Sequence, residues 1–210
     1  MRKISSRKSK RLVRKSYSIV VDGQTEAWYL QMMRQEENLQ VNIAPELPEH
    51  KDLKALYETV LSKVEEDYDK VYWIVDFDVI IKESKVHKKD VQSSLSLFND
   101  YYIKLKKQPK VEVLINNPCL EFWYLQHFVC SGRYYQKYAP ALKRELKKYM
   151  NDYEKTERYY KQANNIYKRL HPSLCTAIKN AKRFSDYDLS NSENPYAEMY
   201  KLVDSLLKDK

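Results

Sequence analysis

Apolar positions along the chain follow two periods, and the switching between them predicts the architecture. Short runs rich in aromatic and β-branched residues, Tyr17-Ser18-Ile19-Val20-Val21, Tyr72-Trp73-Ile74-Val75 and Val111-Glu112-Val113-Leu114-Ile115, read as strands. Val41-Asn42-Ile43-Ala44 reads as a further strand, closed off by Pro45 and Pro48. Between these runs the apolar residues recur at helical spacing. Glu26 to about Glu37 predicts a helix with Thr25 as its cap, and Gly23 permits a tight turn before it. Leu53, Leu56, Tyr57, Val60, Leu61 and Val64 form one stripe across 52–67, and Leu95, Leu97, Phe98, Tyr101, Tyr102 and Leu105 form another. Strand and helix in alternation predict an α/β fold, a mostly parallel sheet flanked by helices on both faces. After Asp78 the run Val79-Ile80-Ile81 gives way to a polar stretch through Lys89, read as a loop over the strand ends. Pro118 suits the first position of an aromatic helix around Phe122–Phe128.

From about Arg133 the pattern turns to helices rich in lysine and tyrosine, without strand signals. Eleven of the 19 tyrosines lie between Tyr134 and Tyr200. Such a mixture can stack bases and hold phosphates, but tyrosines on amphipathic helices more often edge a core, and that reading is preferred. Asn194-Pro195 breaks the chain before a last helix bearing Met199, Leu202, Val203, Leu206 and Leu207. The expected organisation is a basic arm over 1–15, an α/β core over 16–130 and a C-terminal helical extension over 131–210 packed on the core.

Composition changes this picture in one respect. An apolar share of 43% supports folding, and a charged share of 32% with only two glycines suits many solvent-facing helices. No apolar run reaches the length of a membrane span and the basic start lacks a signal-peptide core, so no membrane and a cytoplasmic location are expected. The three cysteines lack C-x-x-C spacing and are expected to be small core residues. The formal charge is +9, but eight basic residues and no acid fall in the first fifteen, leaving 30 basic against 29 acidic residues in the body. An arm with Arg11, Arg14 and Lys15 suits salt-sensitive attraction to a nucleic-acid backbone, or equally a solubilising tail.

The candidate chemistry is acidic. Asp76 and Asp78 leave the strand that begins at Tyr72, where open α/β sheets collect their ligands, and D-x-D can offer two oxygens to a hard cation such as Mg2+. Glu26 falls in the first turn of its helix after Asp22-Gly23, where the helix dipole alone would explain a carboxylate. Glu121 follows Asn117-Pro118-Cys119-Leu120 among apolar residues and must bind metal or meet a positive partner. His127 has no H-E-x-x-H companion and reads as a packed core histidine. A single glycine near the first turn excludes a P-loop and a dinucleotide fingerprint.

With Val20-Val21-Asp22-Gly23-Gln24-Thr25-Glu26, Asp76-Phe77-Asp78 and Asn117-Pro118-Cys119-Leu120-Glu121-Phe122-Trp123 assembled in this order, the chain resembles the RloB-like family. The likeness extends to His127-Phe128 and to the late Asn194-Pro195 and Lys201-Leu202-Val203, and so covers most of the chain. That family in turn resembles the Toprim fold of primases, type IA and II topoisomerases and OLD-type nucleases. The resemblance implies a Toprim-like, Rossmann-like core in which Glu26, Asp76 and Asp78 bind Mg2+, or Mn2+, for phosphoryl transfer. It implies a metal-dependent nuclease of bacterial phage defence or abortive infection, acting on DNA or RNA and often set beside an ATPase. Glu121 then supplies a second-site ligand or orders the first. Asp22 stands where the family often has glutamate, which leaves its role open, and Phe77 replaces a residue that is often polar. Two rivals remain: a non-catalytic nucleic-acid-binding or sensor subunit regulating a partner ATPase, and an enzyme acting on a small phosphorylated metabolite. The helical tyrosines equally suit a homodimer interface.

Overall fold

Four chain segments that alternate with helices line up as parallel strands in the computed structural model, which describes residues 15–39, 42–46, 52–85, 92–133, 135 and 141–208. In chain order they are β1 (Ser16–Val20), α1 (Gln24–Glu36), β2 (Asn42–Glu46), α2 (Leu53–Val64), β3 (Lys70–Asp76), α3 (Phe77–Ser84), α4 (Ser94–Leu105) and β4 (Val111–Asn117). There follow α5 (Leu120–Gln126), α6 (Lys143–Lys147), α7 (Glu157–Lys161), α8 (Ile166–Leu170), α9 (Leu174–Ala181), β5 (Tyr196–Ala197) and α10 (Met199–Lys208). The sheet order is β2-β1-β3-β4-β5, with only the two-residue β5 antiparallel to its neighbour. The fold is α/β, with a mostly parallel open sheet of Rossmann-like character, as the alternation predicts.

Alternation along each strand divides the core between two faces. Ile19, Tyr72, Ile74 and Leu114 pack beneath α1, α5, α9 and α10. Val20, Val71, Trp73, Val75 and Ile115 pack beneath α2, α3 and α4. Every residue of the seven-residue α5 is buried, because α5 lies between the sheet and the C-terminal helices. Tyr153, Tyr160, Tyr167 and Tyr196 are at most 1% exposed, so these tyrosines belong to the core. The stretch beyond 131 also supplies β5 and is tied to β4 by polar bonds. Glu198 accepts from the Ile115 and Tyr187 backbone N–H groups at 2.8 and 3.1 Å, and the Asn117 amide donates to the Ser192 and Asn194 carbonyls.

Several local readings change. Pro45 lies within β2, which is the edge strand beside β1, where a proline is best tolerated in a sheet. Residues 77–84 form α3 and bury Phe77, Ile80 and Ile81, a helical i, i+3, i+4 stripe concealed when Phe77 is counted with the strand. Residues 86–91 lie outside the described residues, so the loop reading there is left without a structure. Pro118 does not open a helix: its bond to Asn117 is cis, and α5 starts at Leu120 with Cys119 at its cap position. Of the cysteines only Cys119 is a core residue, while Cys130 is half-buried and Cys175 exposed. Among the described residues no helix is long and apolar enough to cross a membrane.

Candidate metal centre

β1 and β3 are adjacent and parallel, so the chain leaving either strand emerges at the same edge of the sheet. Asp22 lies just beyond β1, Glu26 occupies the first turn of α1, and Asp76 ends β3. One carboxylate oxygen from each of the three lies within 4.8 Å of the others. Glu26 is 1% exposed, and Asp22 and Asp76 are half-buried. Gly23 makes room for this arrangement, since a β-carbon on it would stand 2.2 Å from Glu26 Oε2. Its φ of −128° is open to any residue, so the glycine serves close approach and not the turn geometry expected from the sequence. Thr25 does not cap α1, and its hydroxyl donates to Glu26 Oε2 at 3.1 Å.

The cluster gathers carboxylates of like charge. Burial first, and then the Asp22 carboxylate, push Glu26 up to about 8, against the pull of its own backbone N–H and the Thr25 hydroxyl. Burial likewise drives Asp76 well above the usual carboxylate range, with Glu26, Asp22 and Glu121 adding to it and Lys155 offsetting a part. Asp76 Oδ1 accepts from the Leu120 backbone N–H at 2.9 Å, which fixes the carboxylate against the start of α5.

Asp78 is not brought into this group. β3 stops at Asp76, and α3 carries Asp78 around its first turn, half-buried. The Phe77 and Asp78 N–H groups both donate to the Pro118 carbonyl at 2.9 Å, joining the two turns at the carboxyl edge. Glu121, fully buried, has a different set of neighbours. Lys155 Nζ lies 2.7 Å from its Oε1, the Tyr153 hydroxyl donates to the same oxygen at 2.7 Å, and the Cys119 thiol donates to Oε2 at 3.0 Å. Burial depresses Lys155, but the Glu121 charge outweighs it and the net shift is upward. Glu121 has thus met a positive partner.

Two residues of this region were not assigned a site role from the sequence. Asp22 had a usable signal, its place directly after a strand at the ligand-collecting edge. Lys155 had none, being one lysine among many in a tyrosine-rich stretch. Of the basic arm only Lys15 falls among the described residues, Arg11 and Arg14 lying outside them. Lys15 precedes β1 at the amino edge of the sheet, where it lines a cleft of about 430 Å³ with Tyr17, Asp69, Lys70, Ser205 and Lys208. The length of β1, roughly 17 Å at ~3.3 Å per residue, separates that edge from the acids. His127 is buried, with Nδ1 3.2 Å from the Trp123 carbonyl, and burial lowers it to about 4. It is the packed core histidine expected.

A family model described as RloB-like protein matches residues 17–206. The chain belongs to the RloB-like family. The matched span of this RloB-like chain contains Asp22, Glu26, Asp76, Asp78, Glu121 and Lys155, and it starts beyond the basic arm. Comparison with curated proteins and with solved structures gives no match. The donor set of the cluster consists of carboxylate oxygens, with no histidine or cysteine in it, and that suits a hard divalent cation better than zinc.

Proposed function

We propose that this RloB-like protein is a Mg2+-dependent nuclease whose centre is formed by Asp22, Glu26 and Asp76. The observation that carries the reading is the convergence of the three carboxylates at the carboxyl edge of a parallel sheet, with two of them driven upward by burial and mutual repulsion. Among the described residues no lysine or arginine forms an ion pair with Glu26 or Asp76. Charge of that kind calls for a cation. The Toprim resemblance of the family points the same way, since it implies Mg2+ or Mn2+ at Glu26 and Asp76.

A cation bound there would offset charge on a scissile phosphate and lower the pKa of its water. The protein's own residues do the rest. Glu26 holds a proton up to about pH 8 until a cation displaces it, and it is the group best suited to pass a proton to or from the reacting oxygen. Glu121, fixed by Lys155 and Tyr153, orders the first turn of α5, whose Leu120 N–H orients Asp76. Asp78 is kept in this reading for a second ion, as the resemblance implies a ligand there. Lys15 attracts nucleic acid at the amino edge of the sheet, and Arg11 and Arg14 add their charge to that attraction. The family setting adds a partner ATPase, a defence role and the bacterial cytoplasm.

The test is cleavage of labelled single- and double-stranded DNA and bulk RNA in Mg2+, Mn2+ or chelator, with Asp76→Asn and Glu26→Gln alongside. Cleavage should require metal and fall by roughly 100-fold or more in both variants. Cleavage that survives the chelator would overturn the proposal. Metal binding and nucleic-acid affinity without any cutting would favour the non-catalytic subunit.

A further inference from the structure

Asn116 is fully buried, and neither its Oδ1 nor its Nδ2 has a hydrogen-bond partner among the described residues. Buried side-chain amides are rarely left so, because both groups have given up water and gained nothing. Its neighbour shows the usual outcome: the Asn117 amide is used on two carbonyls of the 192–194 segment. Asn116 therefore waits for polar atoms that the described residues do not supply.

Its position says which. Asn116 lies near the end of β4 in register with Asp76 of β3. Residues paired across neighbouring parallel strands project from the same face, with the strands about 4.8 Å apart. Leu114 packs with Ile74 beneath α1 and α5, while Ile115 packs with Val75 on the opposite face. Two residues further along each strand, Asn116 and Asp76 share the face of Leu114 and Ile74, the side from which α1 brings Glu26. The unmet amide thus flanks the acidic cluster from within the sheet.

We propose that Asn116 is a positioning residue of the metal centre, its carboxamide hydrogen-bonding the water shell of a divalent cation held beside Asp76. Water on a cation is a strong donor and suits Oδ1, while Nδ2 can donate to a second oxygen of the same shell. The inference rests on the metal-centre reading above.

Mn2+ titration of the full chain, followed by calorimetry and by water-proton relaxation of the bound ion, tests it without any activity measurement. Asn116→Leu, similar in size and apolar, should weaken Mn2+ binding by about 10-fold or more and alter the relaxation signal. The metal-free melting temperature should stay level or rise, because two unmet polar groups are removed. If Asn116→Leu melts early, Asn116→Ala is judged by the same affinity criterion. Mn2+ affinity within twofold of wild type in the folded variant would overturn the inference and leave the amide to an internal water. Asp76→Asn is titrated in parallel. If it loses Mn2+ while Asn116→Leu retains it, the metal centre stands and only the Asn116 assignment falls. If wild type binds no Mn2+, or Asp76→Asn binds equally well, the centre itself fails and the inference with it.

Discussion

Glu26 and Glu121 are the same side chain in the same setting, each in the first turn of a helix at one edge of the sheet and each at most 1% exposed. Their surroundings are opposite. Glu121 has an ammonium, a phenol and a thiol arranged around its oxygens. Glu26 has two further carboxylates and one hydroxyl. Burial alone therefore does not mark a functional acid. What separates the two is whether the described residues place a cation beside the carboxylate, as Lys155 does for Glu121.

The largest expected effect comes from taking the counter-charge away from Glu121. Lys155→Met should destabilise the fold by about 3 kcal/mol in urea unfolding, the low end for a broken buried pair because Lys155 is partly exposed. Adding Glu121→Gln should restore much of that loss. No restoration would mean that the lysine acts through packing.

A smaller effect comes from pH. Glu26 rises from 4.5 to about 8 on folding, so the folded chain holds a proton that the unfolded chain has released. Its contribution to stability is present in acid and is lost as pH climbs through about 8, and Asp76 has the same sign. His127, lowered from 6.5 to about 4, acts oppositely, removing stability as pH falls through that window. Between pH 6.5 and 8 the Glu26 slope stands clear of it, with a loss of about 2 kcal/mol at ~1.4 kcal/mol per pH unit. Unfolding at several pH values should show that slope, and Glu26→Gln or saturating Mg2+ should flatten it. A flat profile in the metal-free wild type would erase the contrast between the two glutamates.

The smallest effect sharpens the comparison at one atom. Gly23→Ala intrudes on Glu26 Oε2, a mobile carboxylate end, while the backbone there accepts alanine. Mn2+ affinity should fall several-fold with the melting temperature within a few degrees of wild type. Unchanged affinity would show that Glu26 is not held where a cation needs it.

How much of this was legible depended on how many residues carried each signal. β1, β3, β4, α2 and α4 each span enough positions for a period to declare itself, and Glu26 and Asp76 follow from strand ends at the ligand-collecting edge. α3 was concealed because Phe77 completes both a strand run and a helical stripe. β5 has two residues, too few for any period, and is held to β4 by the bonds of adjacent Glu198 to Ile115 and of Asn117 to the 192–194 segment. Lys155 meets Glu121 through folding over 33 residues of intervening chain, and the empty bonds of Asn116 appear only once its neighbours are placed.

The join between β4 and the 192–198 segment also sets a clock. A ribosome delivers the chain from its amino end, and the bond from the Ile115 N–H to Glu198 spans 83 residues. At ~5–20 residues per second the strand beside Asp76 waits roughly 4–17 s for the partner that completes its edge. Emerging polypeptide therefore carries Asp22, Glu26 and Asp76 before it carries the segment that closes the edge of β4.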